Sequence, residues 1–188
     1  MNQKSFCHAS NIPGLTQIEP LSAVRGSNER VCYFTPNRTY ALFYLRDMDV
    51  NHVTCGVSDD GIVVYHEQFP NQLEMLYKGR NGAIYHCESD EISQGHTSDV
   101  WIAVTPVKVT GEEFVADVYS EILKAEQSGT ARIIRYETLS NEKKAEIIEM
   151  MRDYITENQL LGSQSPKARF MRTYFPASWE SATNTTEK

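Results

Sequence analysis

The hydrophobic period of this chain changes once along its length, and that change constrains the fold more than any other feature. Over roughly the first 110 residues the apolar positions come in short runs bounded by turn residues: VCYF (31–34), HVTCGV (52–57), GIVVYHE (61–67), AIYHC (83–87) and VWIAVTPVKV (100–109). From about residue 111 they recur every three or four positions, the spacing of an amphipathic helix. Strands grouped first and helices second give an α+β fold, not a wound β-α-β sheet. The expectation is a mixed, mostly antiparallel sheet in the N-terminal two-thirds with helices packed from about residue 111 onward. A single domain is expected over 1–180, strand-rich over 1–110 and helix-rich over 111–180. The polar residues 181–188 (SATNTTEK) read as a disordered tail.

Local signals place the elements. KSFCH (4–8) reads as a first strand, and residues 15–30, with Pro20 and Gly26, as an ordered loop. Thr35-Pro36 has the form of an N-cap followed by a first-turn proline, predicting a helix with Ala41, Leu42 and Leu45 inward that ends near Asp47. Ser58-Asp59-Asp60-Gly61 between two apolar runs predicts a hairpin. QLEMLYK (72–78) alternates Leu73, Met75 and Tyr77 against Gln72, Glu74 and Leu76, and reads as a strand joined by Gly79-Arg80-Asn81-Gly82 to the next. Pro106 confines 100–109 to an edge or a bend. Residues 112–127 place Phe114, Val115, Val118, Ile122 and Leu123 on one helical face, stopped by Gly129. ARIIRY (131–136) reads as a strand. Ser140 caps a helix over 140–157, and Ser165-Pro166 starts a last helix that Pro176 ends.

Composition narrows the function classes. The chain has 188 residues and a net charge of −7, which opposes general binding to phosphate backbones. No stretch approaches the about 18 apolar residues of a membrane span. The N-terminus MNQKSFCHASNIPG lacks the apolar core of a secretory signal, so a cytoplasmic location is expected. There Cys7, Cys32, Cys55 and Cys87 should be free thiols, each in a strand-like context where cysteine packs as a small hydrophobe. Cys7–His8, His52-x-x-Cys55 and His86–Cys87 do not have the paired spacing of structural zinc sites, so no metal is expected. Phosphate-cradling loops, zinc-protease helices and serine-nucleophile elbows leave no motif here.

Three groups of residues are suited to chemistry. His8 and Ser10 lie at alternate positions near a strand end, so both side chains share one face, an arrangement that can bind sugar hydroxyls. Tyr33 and Thr35 lie in Y-F-T-P entering a helix, where an aromatic can stack on a planar ring and a helix start can face an anion. Gln72 and Glu74, if on a strand, project from one face. There the Glu carboxylate could stabilise an oxocarbenium-like centre and the Gln could orient an acceptor.

In chain order, H-x-S, then Y-F-T-P, then Q-x-E over about residues 5–90 resembles the ADP-ribosyltransferase fold in its poly(ADP-ribose) polymerase-like branch. In that branch a strand-one His, a strand-two Tyr and a late-strand Glu form the site. The resemblance implies NAD as co-substrate. It implies that His8 binds the adenosine ribose, with Ser10 in the same cleft, that Tyr33 stacks on nicotinamide with Thr35 beside it, and that Glu74, accompanied by Gln72, stabilises the reacting ribose. An active or a degenerate transferase fits this pattern. The alternative is a non-enzymatic binding or interaction protein on the same scaffold, with a protein partner or a second copy in place of a nucleotide.

Overall fold

The computed structural model describes residues 4–24, 28–46, 52, 54–95 and 97–186. Asp47 and Val53, within the expected first helix end and third strand, and Gly26 in the expected loop, lie outside the described residues. The fold is α+β, with antiparallel sheets and six α-helices among the described residues. The contacts divide it into two compact units. Unit 1 comprises Met1–Arg46, Cys55–Tyr65 and Tyr77–Arg132, and unit 2 comprises Asp47–Thr54, His66–Leu76 and Ile133–Lys188. The division therefore does not follow the expected strand-rich and helix-rich halves.

Unit 1 is built on two four-stranded sheets. The first has β1 (Phe6–Ser10), β7 (Gly82–Cys87), β10 (Val107–Val115) and β2 (Gln17–Ile18), in that order. The second has β3 (Ser22–Ala23), β4 (Arg30–Phe34), β9 (Trp101–Ala103) and β8 (Ser93–Gln94). Phe6, Tyr85 and Cys87 from the first sheet form one apolar cluster with Cys32, Phe34 and Ala103 from the second. The sheets are also stitched directly, because Cys7 and Thr35 exchange backbone hydrogen bonds at 2.7 and 2.9 Å. Gly82 is a steric necessity where β7 passes β1: a Cβ there would lie 2.9 Å from Ser10 O and 2.7 Å from Leu45 Cδ2.

The expected DDG hairpin forms between β5 (Thr54–Val57) and β6 (Val63–His66), closed by Ser58 N–H to Ile62 O at 2.9 Å. They share a three-stranded sheet, order β11-β6-β5, with β11 (Ala131–Ile134). The bonds Val63 N–H to Thr130 O and Glu67 N–H to Ile134 O advance together along both chains, the parallel arrangement.

Several expected boundaries shift for identifiable reasons. Both backbone polar groups of Thr35 pair with Cys7, which keeps Thr35 extended. The helix α1 (Arg38–Ala41) starts three residues later, capped by Asn37, whose side chain accepts the Tyr40 N–H. β10 continues to Val115 because β7 offers it a full ladder, Glu112 opposite Tyr85 through Val115 opposite Gly82. Phe114 then points away from the core, 65% exposed, and α3 (Val118–Gln127) begins only after its Asp117 cap. The largest correction is at 72–77. Gln72, Leu73, Leu76 and Tyr77 are buried while Met75 is exposed, which is helical periodicity. The segment is α2 (Gln72–Tyr77), a helix and not a strand.

Unit 2 holds α4 (Asn141–Glu157), α5 (Pro166–Tyr174) and α6 (Pro176–Thr186). Ser140 and Ser165 cap α4 and α5 as expected. Pro176 does end α5, but it also opens α6, since proline suits a first helical turn. The expected tail from residue 181 is thus helical to Thr186, with Ala182 fully buried. Met151, Ile155, Ala168, Met171 and Phe175 form the core of this unit.

Candidate functional site

The site grows from the place where β1 meets β4 in unit 1. His8 is half-buried in β1, directly opposite Tyr85 of β7. Its Nδ1 lies 2.9 Å from Tyr33 O, and its ring is 5.9 Å from that of Phe34. Burial lowers its pKa, and the bond to Tyr33 offsets this only in part. The imidazole is therefore neutral near pH 7. A carbonyl can only accept, so Nδ1 carries the proton and Nε2 is left as an acceptor. An acceptor nitrogen fixed in this way is suited to a ligand hydroxyl.

The other residues expected near His8 are placed less uniformly. Ser10 lies at the end of β1, where its hydroxyl accepts the Ile12 N–H at 3.1 Å. Tyr33 is half-buried in β4, opposite Ile102 of β9. Thr35 is 2% exposed, and its Oγ1 accepts the Asn37 N–H at 3.1 Å. It shapes the turn into α1. The loop after β1 is tied down by Glu112, which accepts the Gly14 N–H at 3.0 Å and the Tyr85 hydroxyl at 3.3 Å.

Gln72 and Glu74 do not form the expected carboxylate pair. On a helix, residues two apart point about 200° from each other, so Q-x-E cannot present both side chains together. Gln72 is fully buried, and its Oε1 accepts the Gln68 N–H at 2.7 Å. Beside it the Glu67 carboxylate, also buried, accepts N–H groups from Leu73 at 2.9 Å and Tyr136 at 3.3 Å. Gln72 therefore organises the backbone at the start of α2. Both residues belong to unit 2, whereas His8, Ser10, Tyr33 and Thr35 belong to unit 1.

An aromatic group next to Tyr33 was not singled out from the sequence. Tyr40 stacks on Phe43 with centroids 6.0 Å apart and meets Tyr44 edge-on at 5.6 Å. The Tyr44 hydroxyl lies 3.5 Å from that of Tyr40. Burial raises both phenols, and nearby Tyr33 adds to the effect at Tyr44. The Cys55 thiol is raised by burial as well. Asp99 contributes to the rise at both Tyr40 and Cys55, so its carboxylate lies within electrostatic reach of this group. Asp99 is half-buried, two residues before β9, the strand paired with β4. The signal for it was Ser98-Asp99-Val100-Trp101, an acid leading directly into an apolar strand.

Among the described residues no three His, Cys, Asp or Glu side chains are placed to hold a metal ion. No helix among them is long and apolar enough to cross a membrane. Comparison with family models, with curated proteins and with solved structures finds no match to this chain.

Proposed function

We propose that unit 1 binds an ADP-ribosyl nucleotide of the NAD type, with Asp99, not Glu74, as the carboxylate of the site. The observation that carries this reading is the junction of β1 and β4, where His8 Nδ1 bonds to Tyr33 O at 2.9 Å. It sets side by side the two segments whose residue types suggested a nucleotide. The ADP-ribosyltransferase pattern asks for a carboxylate on a late strand, and β9 is a late strand beside the Tyr33 strand, headed by Asp99.

In this reading His8 Nε2 accepts a hydrogen bond from a ribose hydroxyl. Tyr33 and Tyr44 offer aromatic surface to a planar ring. The bond between ribose C1′ and the nicotinamide nitrogen breaks, and its electron pair leaves with nicotinamide. Asp99 stabilises the positive charge that develops on the ribose. An acceptor oxygen or nitrogen then bonds to C1′ and loses a proton to solvent; with water as acceptor the product is ADP-ribose.

Calorimetric titration with NAD and with ADP-ribose, together with an assay of nicotinamide release, tests the proposal. Wild type should bind both, and His8→Ala should weaken binding about tenfold, the worth of one hydrogen bond in a buried site. Asp99→Asn should still bind but lose about 100-fold in nicotinamide release. Binding without release in wild type makes the protein a degenerate, reading member of the same pattern. If neither ligand binds wild type, the proposal fails.

A further inference from the structure

Unit 2 contains a cleft of about 360 Å³. Its walls include Phe69, Tyr174 and Phe175, with Ile147 of α4 facing the same space. The rings are ordered: Phe69 stacks on Tyr174 with centroids 4.7 Å apart and meets Phe175 edge-on at 5.3 Å. None of the residues lining the cleft is charged, so a phosphate or carboxylate ligand would find no counter-charge there.

One polar group on this wall has no partner. Gln68 is 7% exposed, and its side-chain Oε1 makes no hydrogen bond. Its backbone is held in place, since the Gln68 N–H donates to Gln72 Oε1 at 2.7 Å. Buried acceptors are almost always satisfied. A carbonyl left without a donor at the edge of an apolar cleft marks where a donor belongs. The space also sets a size. An apolar cavity of about 150 Å³ holds one benzene ring, so this cleft has room for a fused two-ring system.

We propose that this cleft is a binding site for a small, neutral, planar aromatic molecule that donates one N–H to Gln68 Oε1. The ring system packs against Phe69, Tyr174 and Ile147, and the single hydrogen bond fixes its orientation, the usual division of labour in small-molecule sites. The inference concerns unit 2 alone and does not rest on the nucleotide reading of unit 1.

Indole and 1-methylindole are the probes, alike in shape but differing in the N–H. Each is titrated into the full chain while backbone amide resonances are followed by NMR. The expected result is saturable shifts at Phe69, Ile147 and Tyr174, with indole binding about tenfold more tightly than 1-methylindole. Gln68→Leu should remove that preference. Thr173→Trp, at an exposed position on the cleft rim, should block both probes, and it is chosen because an exposed substitution leaves the core intact. Two results overturn the proposal: no unit 2 resonance shifts at saturating indole, or the two probes bind wild type equally. The second would mean that solvent, not a ligand, satisfies Gln68.

Discussion

Replacing Gln72 with methionine separates a structural role from a catalytic one. In the folded chain Gln72 is fully buried, its Oε1 accepts the Gln68 N–H, and its Nε2 has no partner. Gln72→Met removes the acceptor and leaves the Gln68 N–H unpaired, at a cost of about 1–3 kcal/mol. It also removes a buried unpaired donor, a gain of similar size. Methionine fills nearly the same volume with a flexible apolar chain, so the net change should stay within about 1 kcal/mol. For a chain of this size that is a Tm shift of at most about 4 °C. Gln72→Ala loses the same bond but also opens a cavity, which adds about 2–5 kcal/mol; its Tm should fall by about 6–12 °C. Thermal unfolding followed by circular dichroism, with amide exchange at Leu73 and Leu76 reporting on α2 itself, measures both variants. A Gln72→Met protein with unchanged Tm that had lost NAD-dependent nicotinamide release would falsify the structural assignment, because the side chain would then have to touch substrate.

Other consequences follow from the same contacts. His52 is enclosed by Tyr154, Phe170 and Phe175, with centroids 4.6, 5.9 and 5.9 Å away, and burial, with Lys167 nearby, lowers its pKa to about 4. Its folded pKa lies below the unfolded value of about 6.5, so the unfolded chain binds the proton more readily. Unit 2 should therefore lose stability as pH falls from about 6.5 to 4, and Tm against pH should be flatter over that window in His52→Phe. The Cys7 thiol is raised by burial, Cys32 is pushed up to about 11, Cys87 to about 12, and Cys55 is raised further still. Reaction with a thiol reagent at pH 8 should accordingly be slow in the native protein and reach all four thiols only on unfolding; fast labelling of one thiol in the folded state would contradict this. Arg38 grips Glu113 with two nitrogens and also reaches Glu121, and the Arg38 bond holds the Glu113 carboxyl below its usual range. Both side chains are more than a third exposed, so a double-mutant cycle of Arg38→Ala and Glu113→Gln should return a coupling of only about 0.5–1 kcal/mol. That stability is present above about pH 4.5 and is lost as pH falls through the depressed Glu113 value.

The fold class, the hairpin at Asp59-Asp60-Gly61 and the two capped helices α4 and α5 were legible in the sequence because each is decided locally. Ser140 and Ser165 accept the Lys143 and Ala168 N–H groups in their own first turns. What the sequence hid depends on partners far along the chain. Thr35 looks like a cap, but its backbone is claimed by Cys7, which only the meeting of β1 and β4 reveals. Residues 112–115 carry apolar side chains at helical spacing, yet Tyr85, Ile84, Ala83 and Gly82 hold them in a ladder. Six residues from Gln72 fit period two and period 3.6 almost equally well on apolar content. The decision falls to Glu67, which accepts the Leu73 N–H at the first turn.

The same distinction explains why half of the candidate site could be read and half could not. His8 and Tyr33 were found because each lies in a strand with a clear apolar pattern, and the junction of β1 and β4 makes them neighbours. The carboxylate was sought at Glu74 because alternation suggested a strand, and the helix removes the geometry that made Q-x-E attractive. A carboxylate serving a group on β4 must come from an element adjoining β4. β9 meets that requirement through Tyr33 opposite Ile102 and Phe34 opposite Trp101, and its leading acid is Asp99. Strand pairing, a long-range property, selects the acid. Sequence distance had favoured Glu74, 41 residues beyond Tyr33, over Asp99, 66 beyond it, yet it is Asp99 whose charge is felt at Tyr40 and Cys55.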